Sequence, residues 1–300
     1  MSLANGVSSY FNAALNASML ATMMANRNAS WLNLFVDGQT GSDSNDGITF
    51  ESPFATIAGA ITKANATINW SIWGPRINIY IAPDKYAENL TSLPYGANLI
   101  GLGDAWDVNG ERGVTIQPAS GSPVDCTAII NSRIQNICFF SPDTSAVFQA
   151  DTLNRNVILD CFFAGVPGAS PTTTRGIETV TDMTGNRISN CHFIDIRNGM
   201  YLVSDNTSSK QVTGNLIENC NITGGDQTGI YFHANCNPTN TIINNCNIGG
   251  GGATLALGLD DNTGLVHVYN TNFQATACDP ASADSDSKYN NCYLNGALMS

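Results

Sequence analysis

From Ile134 onward the chain repeats one pattern of apolar and polar positions: an apolar residue, any residue, Asn or Asp, Cys, any residue, then an aromatic or aliphatic residue. It reads ILDCFF from Ile158, ISNCHF from Ile188, IENCNI from Ile217, INNCNI from Ile243, VYNTNF from Val268 and YNNCYL from Tyr289, with a degenerate copy, IQNICF, at Ile134. The fourth positions, Ile137, Cys161, Cys191, Cys220, Cys246, Thr271 and Cys292, are separated by 24, 30, 29, 26, 25 and 21 residues. Periods of this length mark a solenoid, in which each repeat is one coil and stacking buries a continuous core. The two apolar positions flanking the Asn are three residues apart, so strand alternation alone cannot bury both. Both point inward only if the chain turns a corner between them. Asn accepts the left-handed backbone such a corner needs. Asn190, Asn219, Asn245, Asn270 and Asn291, preceded by Asn136 and Asp160, therefore predict a corner ladder whose side chains bond from coil to coil.

Each coil carries a further alternating segment: IETVTD from Ile177, MYLVSD from Met200, IYFHAN from Ile230 and LALGLD from Leu255. Alternation buries Ile177, Met200, Ile230 and Leu255 together with Thr179, Leu202, Phe232 and Leu257. It turns outward one column of Glu178, Tyr201, Tyr231 and Ala256 and a second of Val180, Val203, His233 and Gly258. The expected fold is all-β: a single-stranded right-handed parallel β-helix with an N-terminal helical segment and a capping helix.

The first third differs in kind. Residues 1–33 are rich in Ala, Asn, Ser and Met and place Leu3, Val7, Tyr10, Ala14 and Leu15 near helical spacing, which predicts either a docking helix for a partner or a helix folded against its own solenoid. Residues 34–76 join a Gly/Asp/Ser loop to an Ala- and Ile-rich helix expected to begin near Pro53 and to cover the open end of the first coil. The β-helix itself is expected over residues 77–300. The segments GSDSNDG…SPFATI and APDKYAENL resemble those of the pectate-lyase-like superfamily of parallel β-helix proteins, which includes many phage tailspikes, and the resemblance spans residues 34–298. It implies the fold. For activity it leaves lyases, hydrolases, esterases and non-enzymatic virion proteins open.

Composition sharpens this in three ways. Only 12% of residues are charged and 43% are hydrophobic, with 28 Gly, which suits short strands and tight turns. The net charge of −12 repels phosphate backbones and anionic lipid, so neither nucleic acid nor membrane insertion is expected. The nine Cys recur mostly once per coil in one context and lack Cys-x-x-Cys spacing, which predicts stacked reduced thiols and no metal site. No motif calls for a cofactor. The stretch before Arg27 lacks the basic leader of a secretory signal, so folding in the cytoplasm where the chain is made is expected.

Two sets of residues carry candidate chemistry. Asp182, Asp205 and Asp260 end the alternating segments of three coils, with Asn235 in the equivalent place of another. One-coil and two-coil spacings of about 5 Å and 10 Å would suit glycosidase carboxylate pairs. The turn-like sequence after them equally fits carboxylates that bond to backbone amides, and calcium binding is a third reading. Glu178, Tyr201, Tyr231 and His233 form the second set, in which outward aromatics offer flat faces to a sugar ring or to a neighbouring subunit. Arg197 and Lys210 are the nearby cations. His192 and His267 are expected to face solvent, and no Ser-His-Asp arrangement is present. The expected role is a virion surface protein, a tailspike, fibre or capsid decoration. It would be a homotrimer that meets other virion proteins through residues 1–33 and binds host surface polysaccharide. The alternative is a polysaccharide depolymerase on the same scaffold.

Overall fold

The computed structural model describes residues 32–67, 77–105, 112–166, 174–203, 210–223, 228–233, 236–249, 255–259, 266–274 and 288–299. The expected docking segment 1–33 lies almost wholly outside them, as do Asp205, Asn235 and Asp260. Three sheets form the walls of a parallel β-helix, each coil giving a strand to one sheet after another. The repeat signature supplies two of the walls. Val157–Leu159 pairs with Arg133–Gln135 and Arg187–Ser189 in one sheet, and Phe162–Ala164 pairs with Cys138–Phe140 and His192–Ile194 in the next.

The corner between those strands has the predicted geometry. Asn136, Asp160, Asn190, Asn219, Asn245, Asn270 and Asn291 all have φ between 48° and 59°. Their side chains connect coils: Asn190 Nδ2 donates to Asp160 Oδ1 at 3.1 Å, Asn245 Nδ2 to Asn219 Oδ1 at 2.7 Å and Asn291 Nδ2 to Asn270 Oδ1 at 2.8 Å. Inside the corner, Cys161, Cys191, Cys220, Cys246 and Cys292 stack as buried free thiols. Each donates to the carbonyl two residues before it, as Cys191 Sγ does to Ser189 O at 3.3 Å. The core continues as a column of rings, Phe139, Phe163 and Phe193, with centroids 5.5 and 4.7 Å apart and Phe148 edge-on to the first two.

A second amide ladder, inside the wall, has no counterpart in the sequence reading. Asn186 Oδ1 accepts from Asn156 N and Nδ2 at 2.9 and 3.0 Å, while Asn186 Nδ2 donates to Leu153 O at 2.6 Å and to Asn215 Oδ1 at 3.0 Å. All three Asn are buried. Each stands two residues before the first apolar position of the signature, a regularity that could have revealed them.

The helix Ile57–Thr67 begins four residues after Pro53, because Thr56 is its cap: Thr56 Oγ1 accepts from Gly59 N at 2.9 Å. The carboxylate of Glu88, in the first coils, accepts from Ile57 N and Ala58 N at 2.9 and 2.8 Å. Asp43 in the preceding loop accepts from Ala55 N and Thr56 N, both at 3.0 Å. Two carboxylates at the positive end of a helix complement its dipole. So anchored, the helix buries Ile57, Ala60, Ile61 and Ala64 in the cluster that holds Leu34, Val36 and Ile77.

The third sheet departs from simple alternation. Arg175–Thr184 is one strand of 10 residues, whereas the next coil splits it into Asn198–Leu202 and Lys210–Thr213, and the following coil into Thr228–Phe232 and Cys236–Thr239. The first pieces align with the first half of the long strand and the second pieces with its end. The register inferred from sequence also differs between Thr228–Phe232 and the next coil. Ile230 pairs with Leu257 rather than Leu255, and Tyr231 with Gly258 rather than Ala256. Val203, expected to face outward, is buried with φ 66°, because the strand has ended at Leu202 and the backbone turns there.

Candidate functional site

The outward row of the third sheet runs in register from Asp125 through Gln149, Glu178, Tyr201 and Tyr231 to Gly258. Successive members lie about 4.8 Å apart along the solenoid axis, and their inward neighbours, such as Ile177, Met200 and Ile230, are fully buried, so the row stands on a stiff wall. The sequence-predicted Glu178, Tyr201, Tyr231 and His233 come together here. The rings of Tyr201 and Tyr231 stack with centroids 5.0 Å apart and 23° between planes. His233, just beyond the end of Thr228–Phe232, lies 6.2 Å from Tyr201 and 6.1 Å from Tyr231, centroid to centroid. Its Nδ1 is buried and has no hydrogen-bond partner among the described residues.

Arg175 completes the group and was missed in the sequence. Its guanidinium forms an ion pair with Glu178 and lies over the Tyr201 ring, 3.8 Å from the centroid. Glu178 is thereby only 8% exposed, although it belongs to the outward row. Strict alternation would put residues three apart on opposite faces. The ion pair forms all the same, and residues 176–179 are buried in succession, so alternation does not tell which side chains meet at this end of the strand.

This arrangement changes how the aromatics are presented. Arg175 comes from the coil before Tyr201 and Tyr231 from the coil after, so the two faces of the Tyr201 ring are covered, one by a cation and the other by an aromatic. The Tyr201 ring thus stands between a cation and a second ring rather than as a free flat face. Tyr231 leans over Gly258, where a Cβ would come within 2.8 Å of its Cδ2. A side chain at 258 would push the ring out of the stack.

The acidic candidates are arranged differently from expectation. Asp182 lies within Arg175–Thr184, not at its end, and its coil-to-coil neighbour is Gln211, whose N–H it accepts through Oδ1 at 3.0 Å. The register partner assumed for it, Asp205, belongs to residues 204–209 between the two split strands and is not described; Asp260 is likewise outside the described residues. His192 and His267 are half-buried strand residues, and His192 stacks on Phe162 with centroids 6.3 Å apart. Burial lowers the pKa of His192. Among the described residues no group of three His, Cys, Asp or Glu is placed to hold a metal ion, and no helix is long and apolar enough to cross a membrane.

No family model and no curated protein sequence matches the chain. Solved structures do. A mutant pectin methylesterase in complex with a hexasaccharide shares 15% identity over 89% of this chain and 90% of its own, with a TM-score of 0.53. A pectin methylesterase from carrot shares 12% identity over 89% of this chain and 84% of its own, with a TM-score of 0.50. At these identities the likeness shows the fold alone, a right-handed parallel β-helix.

Proposed function

We propose that this chain is a polysaccharide-binding β-helix that forms the surface body of a virion as a trimer, with residues 1–33 docking on other virion proteins. The observation that carries the binding reading is the stack of Arg175, Tyr201, Tyr231 and His233 on the outer face of the third sheet. Its rings are held rigid before any ligand arrives, so little conformational entropy remains to be lost on binding. Aromatic edges, a guanidinium and a carboxylate side by side are the groups that orient a polyhydroxylated ligand. Placement on a virion rests on an apolar N-terminal segment joined to a short solenoid of low charge, and on the likeness of GSDSNDG…SPFATI and APDKYAENL to segments of a superfamily that includes tailspikes.

Binding without cleavage is favoured because two of the candidate carboxylates are already engaged by the protein itself, Glu178 by Arg175 and Asp182 by the Gln211 amide. A general acid or base needs its oxygen at the scissile bond. The depolymerase reading keeps its support in the scaffold that the chain shares with polysaccharide-acting enzymes. A glycan array probed with the parent chain and with Tyr231→Ala tests the binding proposal, and imaging of the chain on particles tests its location. Retention of every glycan signal by Tyr231→Ala would refute the assigned face. Release of new reducing ends or of unsaturated sugar by the parent chain, abolished by Asp205→Asn or Asp260→Asn, would establish the depolymerase instead.

A further inference from the structure

The charge around this face specifies the kind of glycan. Within the row, Asp125 is exposed and Glu178 is matched, among the described residues, by Arg175, while Asp182 stands farther along the same sheet. Beyond Lys210, residues 211–287 contain seven Asp or Glu and no Lys or Arg, and that stretch includes Tyr231 and Gly258. Arg175 is the one cation described within the stack, and it is used twice by the protein, by the Glu178 carboxylate and by the Tyr201 ring. To grip a sugar carboxylate in the bidentate manner typical of guanidinium it would have to leave Glu178 uncompensated in a largely buried position. The field of a chain with net charge −12 adds a long-range penalty for any polyanion.

We infer that the third-sheet face takes an uncharged polysaccharide and rejects polyuronates, with the Arg175–Glu178 ion pair acting as the determinant of that preference. The inference rests on the glycan-binding reading above. In the bound state the ion pair stays closed and contributes hydrogen-bonding groups to ring hydroxyls. A uronate would have to compete with Glu178 for the guanidinium.

The test is calorimetric titration at low ionic strength of the parent chain and of Glu178→Gln, with neutral gluco-, galacto-, manno- and rhamno-oligosaccharides and with oligogalacturonate of equal length. The parent chain is expected to bind at least one neutral oligomer and to bind oligogalacturonate more weakly. Glu178→Gln keeps the size of the side chain but leaves Arg175 as a net positive charge. It is expected to tighten oligogalacturonate binding by on the order of fivefold, the size of one exposed charge contact, and to change neutral binding less. Added salt should erase that gain. Oligogalacturonate binding to the parent chain as tightly as the best neutral oligomer, or no gain in Glu178→Gln, overturns the inference and leaves the glycan-binding reading in place. Failure of every oligomer to bind overturns both.

Discussion

The two asparagine ladders make opposite demands, and substitution separates them. Asn186 is 2% exposed and has no left-handed backbone, so its contribution lies in its side-chain bonds. Replacing it by Ala strands the buried Asn156 N–H, whose partner at 2.9 Å is Asn186 Oδ1, and removes the bond to Leu153 O at 2.6 Å. A stranded buried donor costs about 1–3 kcal/mol, and with the other three side-chain bonds of Asn186 lost and a small void left a total of about 2–4 kcal/mol is expected. Asn190 has φ 55° and an exposed side chain, so Asn190→Ala should cost about 1–2 kcal/mol through backbone strain. Glycine distinguishes the two causes. Asn190→Gly should restore most of the loss because Gly adopts positive φ freely, whereas Asn186→Gly should be at least as damaging as Asn186→Ala. Urea unfolding followed by both circular dichroism and fluorescence would report the shifts in midpoint, two probes being needed because a solenoid can unfold in segments. If Asn186→Gly lies within about 0.5 kcal/mol of the parent chain, the inner ladder holds nothing together and the reasoning fails.

The other predictions concern thiols and acid. Burial raises the pKa of Cys191 well above its ordinary value and that of Cys126 to about 12, so neither the thiolate nor access is provided in the folded chain. In a Cys278→Ser background, which removes the cysteine outside the described residues, Ellman's reagent should find no fast-reacting thiol until denaturant is added; prompt labelling of Cys161, Cys191, Cys220 or Cys246 would reject the stacked column. Asp143 has its pKa lowered, chiefly by the Gly121 N–H at 2.7 Å and also by Ser145 N–H at 2.8 Å. A depressed folded-state pKa contributes stability that is present above the ordinary carboxylate pKa of about 4 and is lost as pH falls through the depressed value. Asp143→Asn should thus lower the unfolding midpoint at pH 7 and converge on the parent chain near pH 2; an equal deficit at both pH values would contradict the assignment.

What the sequence determined was whatever repeats. Apolar positions flanking an Asn three residues apart leave only an inward corner, and a left-handed corner selects Asn or Asp. The column from Asn136 to Asn291, the buried thiols beside it and the pairing of Ile158 with Ile188 were therefore legible from local stereochemistry and a period. Tertiary structure decided what depends on loop length. Alternation assigns a residue to a face but does not say which residue of the next coil lies beside it, and one coil gives the third sheet two strands, Asn198–Leu202 and Lys210–Thr213, while Arg175–Thr184 runs unbroken in the previous one. That difference sets Gln211 beside Asp182, and a separate shift farther along the chain sets Gly258 beside Tyr231. The Arg175–Glu178 pair was hidden for a related reason. Alternation assigns residues three apart to opposite faces, so it does not pair Arg175 with Glu178, and this is the contact that adds a guanidinium to the two rings and the histidine.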